Sequence, residues 1–204
     1  MGKTGRKSVV VAVLLVALWS SGCAWRADKT ERADAHSEFA EQRERLTHWS
    51  VRGRAAVRTG GDGATLSLRW RQLEDVFAIN LSGPFGTGAV QISGQPGAVV
   101  LNNGSGQVYS APNPEALLAA HTGYDLPVSA LRYWILGDLA DGLEVERRDY
   151  AASGRPEVIV QGGWRIEYRR WTQVDAIFMP ARIDISKGSK QLRVALSGWQ
   201  VSYE

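Results

Sequence analysis

Residues 49–82 read WSVRGRAAVRTGGDGATLSLRWRQLEDVFAINLS, and this stretch decides the fold. Apolar and polar side chains alternate along it with a period of two, as they do in strands that bury one face. The alternation is interrupted by Gly-Gly-Asp-Gly at 60–63 and by Glu-Asp at 74–75, which are residues that favour tight turns. The stretch therefore predicts three antiparallel strands joined by two hairpins.

Alternating segments of this kind continue along most of the chain. They recur as far as Tyr109 and again from Leu143 to Val201, and the clearest of them is WRIEYRRW at 164–171. Turn sequences rich in Gly, Pro and Asn separate them. We count ten or eleven strands. Their apolar faces must be buried either between two packed sheets or inside one curled sheet.

Three short helices are predicted beside these strands. The first covers 35–48, because Phe39, Leu46 and Trp49 recur at helical spacing. The other two separate the two groups of strands. One begins at Asn113, a good N-cap that is followed by proline, and can end at glycine 123. The last covers about 129–136 and stops at a glycine. These helices are too few to cover ten strands, but they can cap one end of a curled sheet.

The first 23 residues have the organisation of a bacterial export signal. Residues 1–7 are basic, residues 9–19 are apolar, and small residues precede Cys23. The apolar run of eleven residues is too short to span a bilayer core of about 30 Å. The chain thus divides into a cleaved lipoprotein signal peptide (1–22), a polar tether that starts at the cysteine (23–37) and a folded domain (38–204).

Cys23 is the only cysteine of the chain, and two interpretations fit it. In the first, it is the acceptor residue of a lipoprotein signal, so that its thiol carries a diacylglycerol and its new amino group is acylated. In the second, the protein is secreted in soluble form with a free N-terminal thiol, because the small residues at 20 and 22 also suit the ordinary signal peptidase. In neither case can an intramolecular disulfide form, so the fold must depend on its core.

Composition and motifs argue against several classes of function. Without the signal peptide, the chain has 21 basic and 21 acidic residues, so a nucleic-acid partner is not expected. The three histidines have no metal-ligand spacing, and HExxH, GxSxG and P-loop motifs do not occur. The glycine-rich run at 83–88 lies between two strands, which is the wrong context for a dinucleotide loop. We therefore expect no catalytic residues, no metal site and no enzyme.

A curled sheet of more than about eight strands has room inside for a ligand. An apolar lining would then bind an apolar ligand, although the same side chains could instead form an ordinary dry core. The candidate lining residues face inward in the predicted strands and helices. They are Trp49, Leu66, Leu68, Trp70, Phe77, Ile79, Leu81, Ile92, Leu131, Trp134, Ile135, Trp164, Ile166 and Tyr168.

Phe85 lies in the middle of a turn of small and polar residues, where an aromatic side chain is unusual. It could fold back to close one end of the sheet. It could instead stand exposed, together with Pro84 and Gly86, as an apolar tip that enters a membrane. Burial of a phenylalanine in lipid is worth about 1.5–3 kcal/mol, which can tune membrane contact without anchoring a protein.

Several short motifs together resemble the LolB family of outer-membrane lipoprotein receptors. The two most specific are Leu-Arg-Tyr-Trp-Ile-Leu-Gly at 131–137 and Gly-Pro-Phe-Gly at 83–86. Weaker matches run in the same order from about residue 46 to Trp199. They are Trp49 with Arg52-Gly53, Trp70-x-Gln72, Gln95-Pro96-Gly97, Leu126-Pro127, Trp164-x-Ile166-x-Tyr168, Met179-Pro180 and Leu192-Arg193.

The resemblance implies a mainly β fold, in which a single curled antiparallel sheet of about 11 strands forms an incomplete, open β-barrel with a lid of about three short helices. It further implies a cavity that accepts the acyl chains of lipoproteins from the periplasmic carrier LolA. The protein would then insert this cargo into the inner leaflet of the outer membrane. The alternative from a different class is a lipocalin-like envelope protein that binds a small apolar ligand.

The resemblance also assigns roles to single residues. Cys23 would carry the N-acyl diacylglycerol, the only group attached to the protein, and this lipid separates the receptor from the soluble carrier of the same fold. Ala24 follows it where an Asp would retain a lipoprotein in the inner membrane. Phe85 matches the exposed apolar residue of the family's protruding loop. We expect a monomer that is lipid-anchored to the periplasmic face of the outer membrane and contacts its phospholipid.

Overall fold

Eleven antiparallel β-strands form a single sheet that dominates the structure. The computed structural model describes residues 35–43, 46–122 and 126–202. The predicted signal peptide and Cys23 lie outside the described residues. Within these ranges, no helix is both long enough and apolar enough to cross a membrane. The strands are β1 His48–Thr59, β2 Asp62–Leu73, β3 Val76–Ser82, β4 Val90–Gln95, β5 Ala98–Asn103, β6 Val108–Ala111, β7 Val145–Tyr150, β8 Pro156–Gln161, β9 Trp164–Val174, β10 Ile177–Lys187 and β11 Lys190–Ser202.

The order of the strands is β6-β5-β4-β3-β2-β1-β11-β10-β9-β8-β7, so the first and last strands pair at the centre. The edge strands β6 and β7 are not paired with each other in the described chain. Ile92 of β4 and Ile183 of β10 line one cavity although four strands separate them, because the sheet curls. The predicted open barrel of about 11 strands is therefore confirmed, and the two-sheet alternative is wrong.

Three α-helices accompany the sheet within the described ranges: α1 over 35–43, α2 Pro114–Thr122 and α3 Val128–Trp134. The Asn113 side chain accepts a hydrogen bond from the Ala116 amide at 2.9 Å, which is the predicted N-cap of α2. The predicted end of that helix, glycine 123, lies outside the described residues. Helices α2 and α3 connect β6 to β7, so this part of the chain passes from one edge of the sheet to the other.

The first helix is shorter than the sequence predicts. It is described over 35–43, and β1 already begins at His48, which pairs with both Leu73 and Ser202. Trp49 therefore reaches the core from a strand rather than from a helix. Pairing with two strands from distant parts of the chain outweighs the local helical spacing of the apolar residues.

Candidate functional site

An apolar cavity lies inside the barrel, and its exposed lining consists only of apolar side chains. Strands β1 to β4 and strands β10 and β11 form its walls, and residues of α2 and α3 cover it together with Leu126 and Ile135. Its volume is about 70 Å³, whereas pockets for small ligands usually measure about 300–1,000 Å³. A cavity lined only by carbon stays dry and favours apolar ligands. Its walls must therefore separate before it can hold a ligand of ordinary size.

Eight of the candidate lining residues lie at this cavity, and six do not. Those at the cavity are Leu66, Leu68, Trp70, Ile79, Leu81, Ile92, Leu131 and Ile135. Those elsewhere are Trp49, Phe77, Trp134, Trp164, Ile166 and Tyr168. Nine further lining residues were not predicted from the sequence: Ala55, Val57, Leu118, Leu126, Val128, Ile183, Ile185, Leu192 and Val194. Most of these belong to alternating strands, so their inward direction was readable, but the pairing of β1 with β11 was not.

Five of the six residues away from the cavity are buried, and most of them are aromatic side chains that pack together. Trp49 lies between Trp70 and Trp199, with ring centroids 5.5 and 5.7 Å away. Trp134 of α3 packs on Trp164 of β9 at 6.3 Å. Aromatic pairs at these distances add stability beyond the area that they bury. These contacts lie beside the cavity and form part of the apolar core.

Phe77, the sixth of these residues, is only half-buried. It lines a separate, mostly apolar groove between the β2–β3 turn and the start of α3, together with Pro96 and Tyr133. Phe77 points inward, and its side chain packs against the main apolar cluster. Its position near the start of β3, away from the Phe85 loop, places it outside the cavity.

Gln161, which is only 1% exposed, ties α3 and the segment after it to the sheet. Its Oε1 accepts hydrogen bonds from Trp134 Nε1 and from the Ala140 amide, both at 2.9 Å. Its Nε2 donates to the carbonyls of Ala140 and Leu143 at 2.6 and 3.2 Å. Both acceptor positions and both donor positions of the amide are therefore used, as burial requires.

Tyr168 adds a second polar contact at the end of the same helix. Its hydroxyl donates a hydrogen bond to the Trp134 carbonyl at 2.9 Å. Burial raises the pKa of the Tyr168 hydroxyl well above its ordinary value. The group therefore stays protonated and remains a donor. Together with Gln161 it fixes one end of the lid on β8 and β9.

Helix α1 is held against the outside of the lid by a buried arginine. Arg43 Nε donates to the Leu136 carbonyl at 2.7 Å, and another guanidinium nitrogen donates to the Phe178 carbonyl. The guanidinium also lies 3.3 Å from the centre of the Phe39 ring, which is a cation–π contact. These contacts join α1, the end of α3 and β10.

The start of α1 is fixed by His36, which falls within the segment that the sequence assigned to the tether. Its ring stacks on Tyr150 at 3.9 Å, and its Nδ1 donates to the Gly154 carbonyl at 3.0 Å. Burial lowers the pKa of His36, with a smaller contribution from nearby arginines. The neutral ring is therefore the form that the folded state favours. The stabilising effect of this contact is present above the ordinary histidine pKa and is lost as the pH falls.

The loop between β3 and β4 carries the exposed phenylalanine. Phe85 is fully exposed in a single 3₁₀ turn, Pro84–Gly86. The Gly83 amide donates to the Thr87 carbonyl at 2.8 Å, and the Thr87 hydroxyl donates to the Pro84 carbonyl at 2.9 Å. The loop therefore has an internal framework that presents the ring to solvent. The alternative in which Phe85 folds back to close the barrel is wrong.

The backbone of Phe85 adopts a left-handed conformation, with φ 57° and ψ 22°. A residue with a Cβ adopts this region at a cost of about 1–2 kcal/mol, and glycine or asparagine would suit it better. A large apolar side chain is thus held in water on a backbone that disfavours it. Such a local conflict commonly marks a functional position.

The cavity lies in the half of the barrel from which this loop projects. The turns at 60–61 and 188–189 are at the same end, and the lining residues Val57, Leu81 and Leu192 lie close to them in the strands. A polar cleft at this rim shares Val57 and Leu192 with the cavity and also contains Arg58 and Arg193. An apolar chamber, a polar rim and an exposed apolar tip therefore occupy one end of the molecule. No cluster of possible metal ligands occurs among the described residues.

Comparisons with known proteins agree with this architecture. Solved structures with the same fold include a DUF1329 family protein from Desulfovibrio piger, with a TM-score of 0.57, 9% identity and coverage of 85% of this chain and 92% of that one. They also include a LolA superfamily protein from Nitrosomonas europaea, with a TM-score of 0.51, 10% identity and coverage of 83% and 94%. At these identities the similarity establishes the fold alone.

Sequence relatives are much closer. A protein from Halorhodospira halophila named outer-membrane lipoprotein LolB is 52% identical, with 98% of each chain covered. A protein of the same name from Alkalilimnicola ehrlichii is 40% identical over 97% of this chain and 99% of its own. The family model described as outer membrane lipoprotein LolB matches residues 47–199. The protein with this open barrel, apolar cavity and exposed loop therefore belongs to the LolB family.

Proposed function

We propose that the protein accepts lipoproteins from the periplasmic carrier LolA and inserts them into the inner leaflet of the outer membrane. The observation that carries the proposal is the position of Leu81, which lines the apolar cavity and lies four residues before the exposed Phe85. Acyl chains would leave the cavity beside the residue that enters the membrane. Family membership supports the same role, because the relatives are named outer-membrane lipoproteins.

The chemistry of the two parts of the site fits a lipoprotein N-terminus. Its acyl chains need an apolar chamber, and the cavity lining exposes no polar surface. Its glycerol and peptide groups need water or polar partners, which the rim cleft offers at Arg58 and Gln191. The narrow cavity would open as the chains enter, so part of the binding energy would be used to separate its walls.

The transfer needs only differences in affinity. Each CH₂ removed from water is worth about 0.8 kcal/mol, so small differences in acyl-chain burial can order the carrier, this cavity and the bilayer. The sequence contains no P-loop that could bind a nucleotide. We therefore propose a sequence of downhill steps, in which the cargo passes from LolA to this protein and then to the phospholipid.

Anchoring belongs to the same proposal. Acylated Cys23 would hold the protein, as a monomer, on the periplasmic face of the outer membrane. The covalent N-acyl diacylglycerol is the only added group that this mechanism requires. The mechanism also requires no catalytic residue, because no bond is made or broken during the transfer.

The cavity assignment is tested by Ala55→Leu. Ala55 pairs with Leu66 and Val194, and all three line the cavity. The three added carbon atoms should fill the void, raise the free energy of unfolding by about 0.5–2 kcal/mol and lower acceptance of a lipoprotein from LolA by about tenfold, equivalent to about 1.4 kcal/mol. Acceptance is measured by mixing purified protein with LolA that carries a fluorescent lipoprotein, without nucleotide.

Ala195→Leu is the matched control, because Ala195 follows the lining residue Val194 in β11, is exposed and lines neither the cavity nor the rim cleft. It should leave acceptance unchanged. If Ala55→Leu accepts cargo as well as the unmodified protein does, the cavity is not the acyl site. If the unmodified protein takes no lipoprotein from LolA, the proposed receptor function itself is wrong.

A further inference from the structure

Four arginines stand together on the outer face of β1 and β2, and we call them the basic patch: Arg52, Arg54, Arg69 and Arg71. All four are exposed. Arg52 and Arg69 lie directly opposite each other in the register of the two strands. Like charges in this position destabilise a sheet. Fold stability therefore gives no reason for the patch.

No described carboxylate balances these charges. The segment 48–111, which forms β1 to β6, contains three acidic residues, and all of them lie at turns or strand ends. One of them, Asp75, is paired with Arg132 of α3 at 3.0 Å. Among the side chains that the structure describes, no carboxylate is within ion-pair distance of the basic patch.

The other half of the same outer face is different, because two carboxylates stand among its arginines. On β9 to β11, Asp184 forms ion pairs with Arg169 and Arg193 at 3.1 and 3.0 Å. Glu167 pairs with Arg165 at 2.6 Å and also contacts Arg169. Basic residues outnumber acidic ones in both halves of this face, but the basic patch, unlike β9 to β11, has no described carboxylate within ion-pair distance.

The surroundings of the basic patch favour a diffuse anionic surface over a protein partner. The neighbouring outward positions hold small side chains, among them Ser50, Ser67 and Ala78. The centre of a protein interface usually has exposed aromatic or large apolar anchors. A cluster of cations without such anchors is typical of surfaces that meet anionic phospholipid headgroups.

The basic patch and the Phe85 loop lie on adjoining strands. Arg54 is opposite Ser67 of β2, and Ser67 is opposite Ser82 of β3, the last residue before the loop. Two strand spacings, about 10 Å, therefore separate the patch from the root of the loop. One apolar group gives only marginal membrane binding, and a polybasic patch is a common second signal.

We propose that the basic patch is a docking surface for anionic phospholipid headgroups. The outer face of β1 and β2 would then lie on the membrane surface when Phe85 enters the membrane. The proposal rests on the proposed function for the role of Phe85. The attraction would be strongest at low salt, because mobile ions screen charges at an exposed surface.

The test uses the mature chain with Cys23→Ala, so that no lipid anchor contributes to binding. Sedimentation with vesicles of phosphatidylcholine, with and without phosphatidylglycerol, gives the partition coefficient. Arg52→Gln with Arg69→Gln should lower binding to the anionic vesicles by about 25-fold, at about fivefold for each arginine. It should leave binding to pure phosphatidylcholine unchanged. Arg165→Gln with Arg169→Gln removes the same total charge from the other half of the face and should have little effect.

The variant Arg69→Glu distinguishes a loss of vesicle binding from a loss of folding. This change places a carboxylate opposite Arg52, so the melting temperature should hold or rise while binding to anionic vesicles falls.

Equal losses for the two double variants would mean that binding follows total charge, and the proposal would be wrong. Normal vesicle binding with slower uptake from LolA would assign the patch to an acidic protein surface and would also overturn it. If Phe85→Asn binds vesicles normally while the patch variants do not, the loop's proposed role fails and the patch stands.

Discussion

Phe85→Asn is expected to leave acceptance of a lipoprotein from LolA unchanged and to lower its delivery into vesicles by about 10- to 100-fold. The magnitude follows from the loss of about 1.5–3 kcal/mol when a phenylalanine ring is no longer buried in lipid. Acceptance should be unaffected, because the ring is fully exposed and does not line the cavity. The measurement is a two-step assay that follows a labelled lipoprotein first from LolA to the protein and then into vesicles.

Asparagine is chosen because it suits the backbone at this position. Residue 85 has φ 57°, a region that asparagine tolerates better than phenylalanine does. The variant should therefore be at least as stable as the unmodified protein, and a loss of delivery cannot be attributed to a damaged fold. Phe85→Leu, which restores an apolar side chain, should recover most of the delivery. Full delivery by Phe85→Asn would show that the loop does not insert.

Gln161→Leu is expected to lower the free energy of unfolding by about 2–5 kcal/mol. The substitution leaves Trp134 Nε1 and the Ala140 amide without the acceptor that both use. Each buried donor that loses its partner costs about 1–3 kcal/mol. Urea unfolding followed by tryptophan fluorescence measures the change, since Trp134 itself reports on this part of the core.

The matched control is Gln173→Leu on β9. That glutamine is exposed and makes one hydrogen bond, to the Asp175 carbonyl at 3.1 Å, so the effect should stay within about 0.5 kcal/mol. If Gln161→Leu were as mild as the control, the polar network would not hold the lid. A large effect would show that the Gln161 hydrogen bonds hold the end of α3 firmly on the sheet. The cavity would then have to open by movement of another part of its cover.

The strands could be predicted from the sequence because alternation is a local property. Along 164–171, each apolar residue is followed by a polar one, and the structure places these residues in β9. The N-cap at Asn113 was equally readable, since it depends on residues three positions apart. These features need no knowledge of distant contacts.

The composition of the cavity could not be predicted in the same way. Alternation separates inward from outward side chains, but it does not show which part of the barrel interior is filled by side chains from elsewhere in the chain. Ile166 and Ile185 both point inward and pair with each other, yet only Ile185 lines the cavity. The difference arises because α3 and the aromatic side chains fill one region of the barrel, and that packing depends on residues far apart in the sequence.

For a related reason, the sequence was compatible with both a buried and an exposed Phe85 side chain. Its apolar character favours burial, whereas its place in a glycine-rich turn favours exposure, and neither preference is decisive. The outcome depends on the hydrogen bonds of Gly83 and Thr87, which fix the shape of the loop. The helix predicted over 35–48 failed at its end for a similar reason, because the pairing partners of His48 are remote.

The pairing of β1 with β11 sets the order in which the chain can fold. Trp49 pairs with Val201, near the opposite ends of the domain, whereas most other strands pair with their neighbours in the sequence. Hairpins of neighbouring strands can form as soon as both strands are available, but the middle of the sheet must wait for the final strand. Contacts of such long sequence separation are slow to form. We therefore expect the two halves of the sheet to form first as separate meanders, whose edges at β1 and β11 stay open to pairing with other chains until they meet.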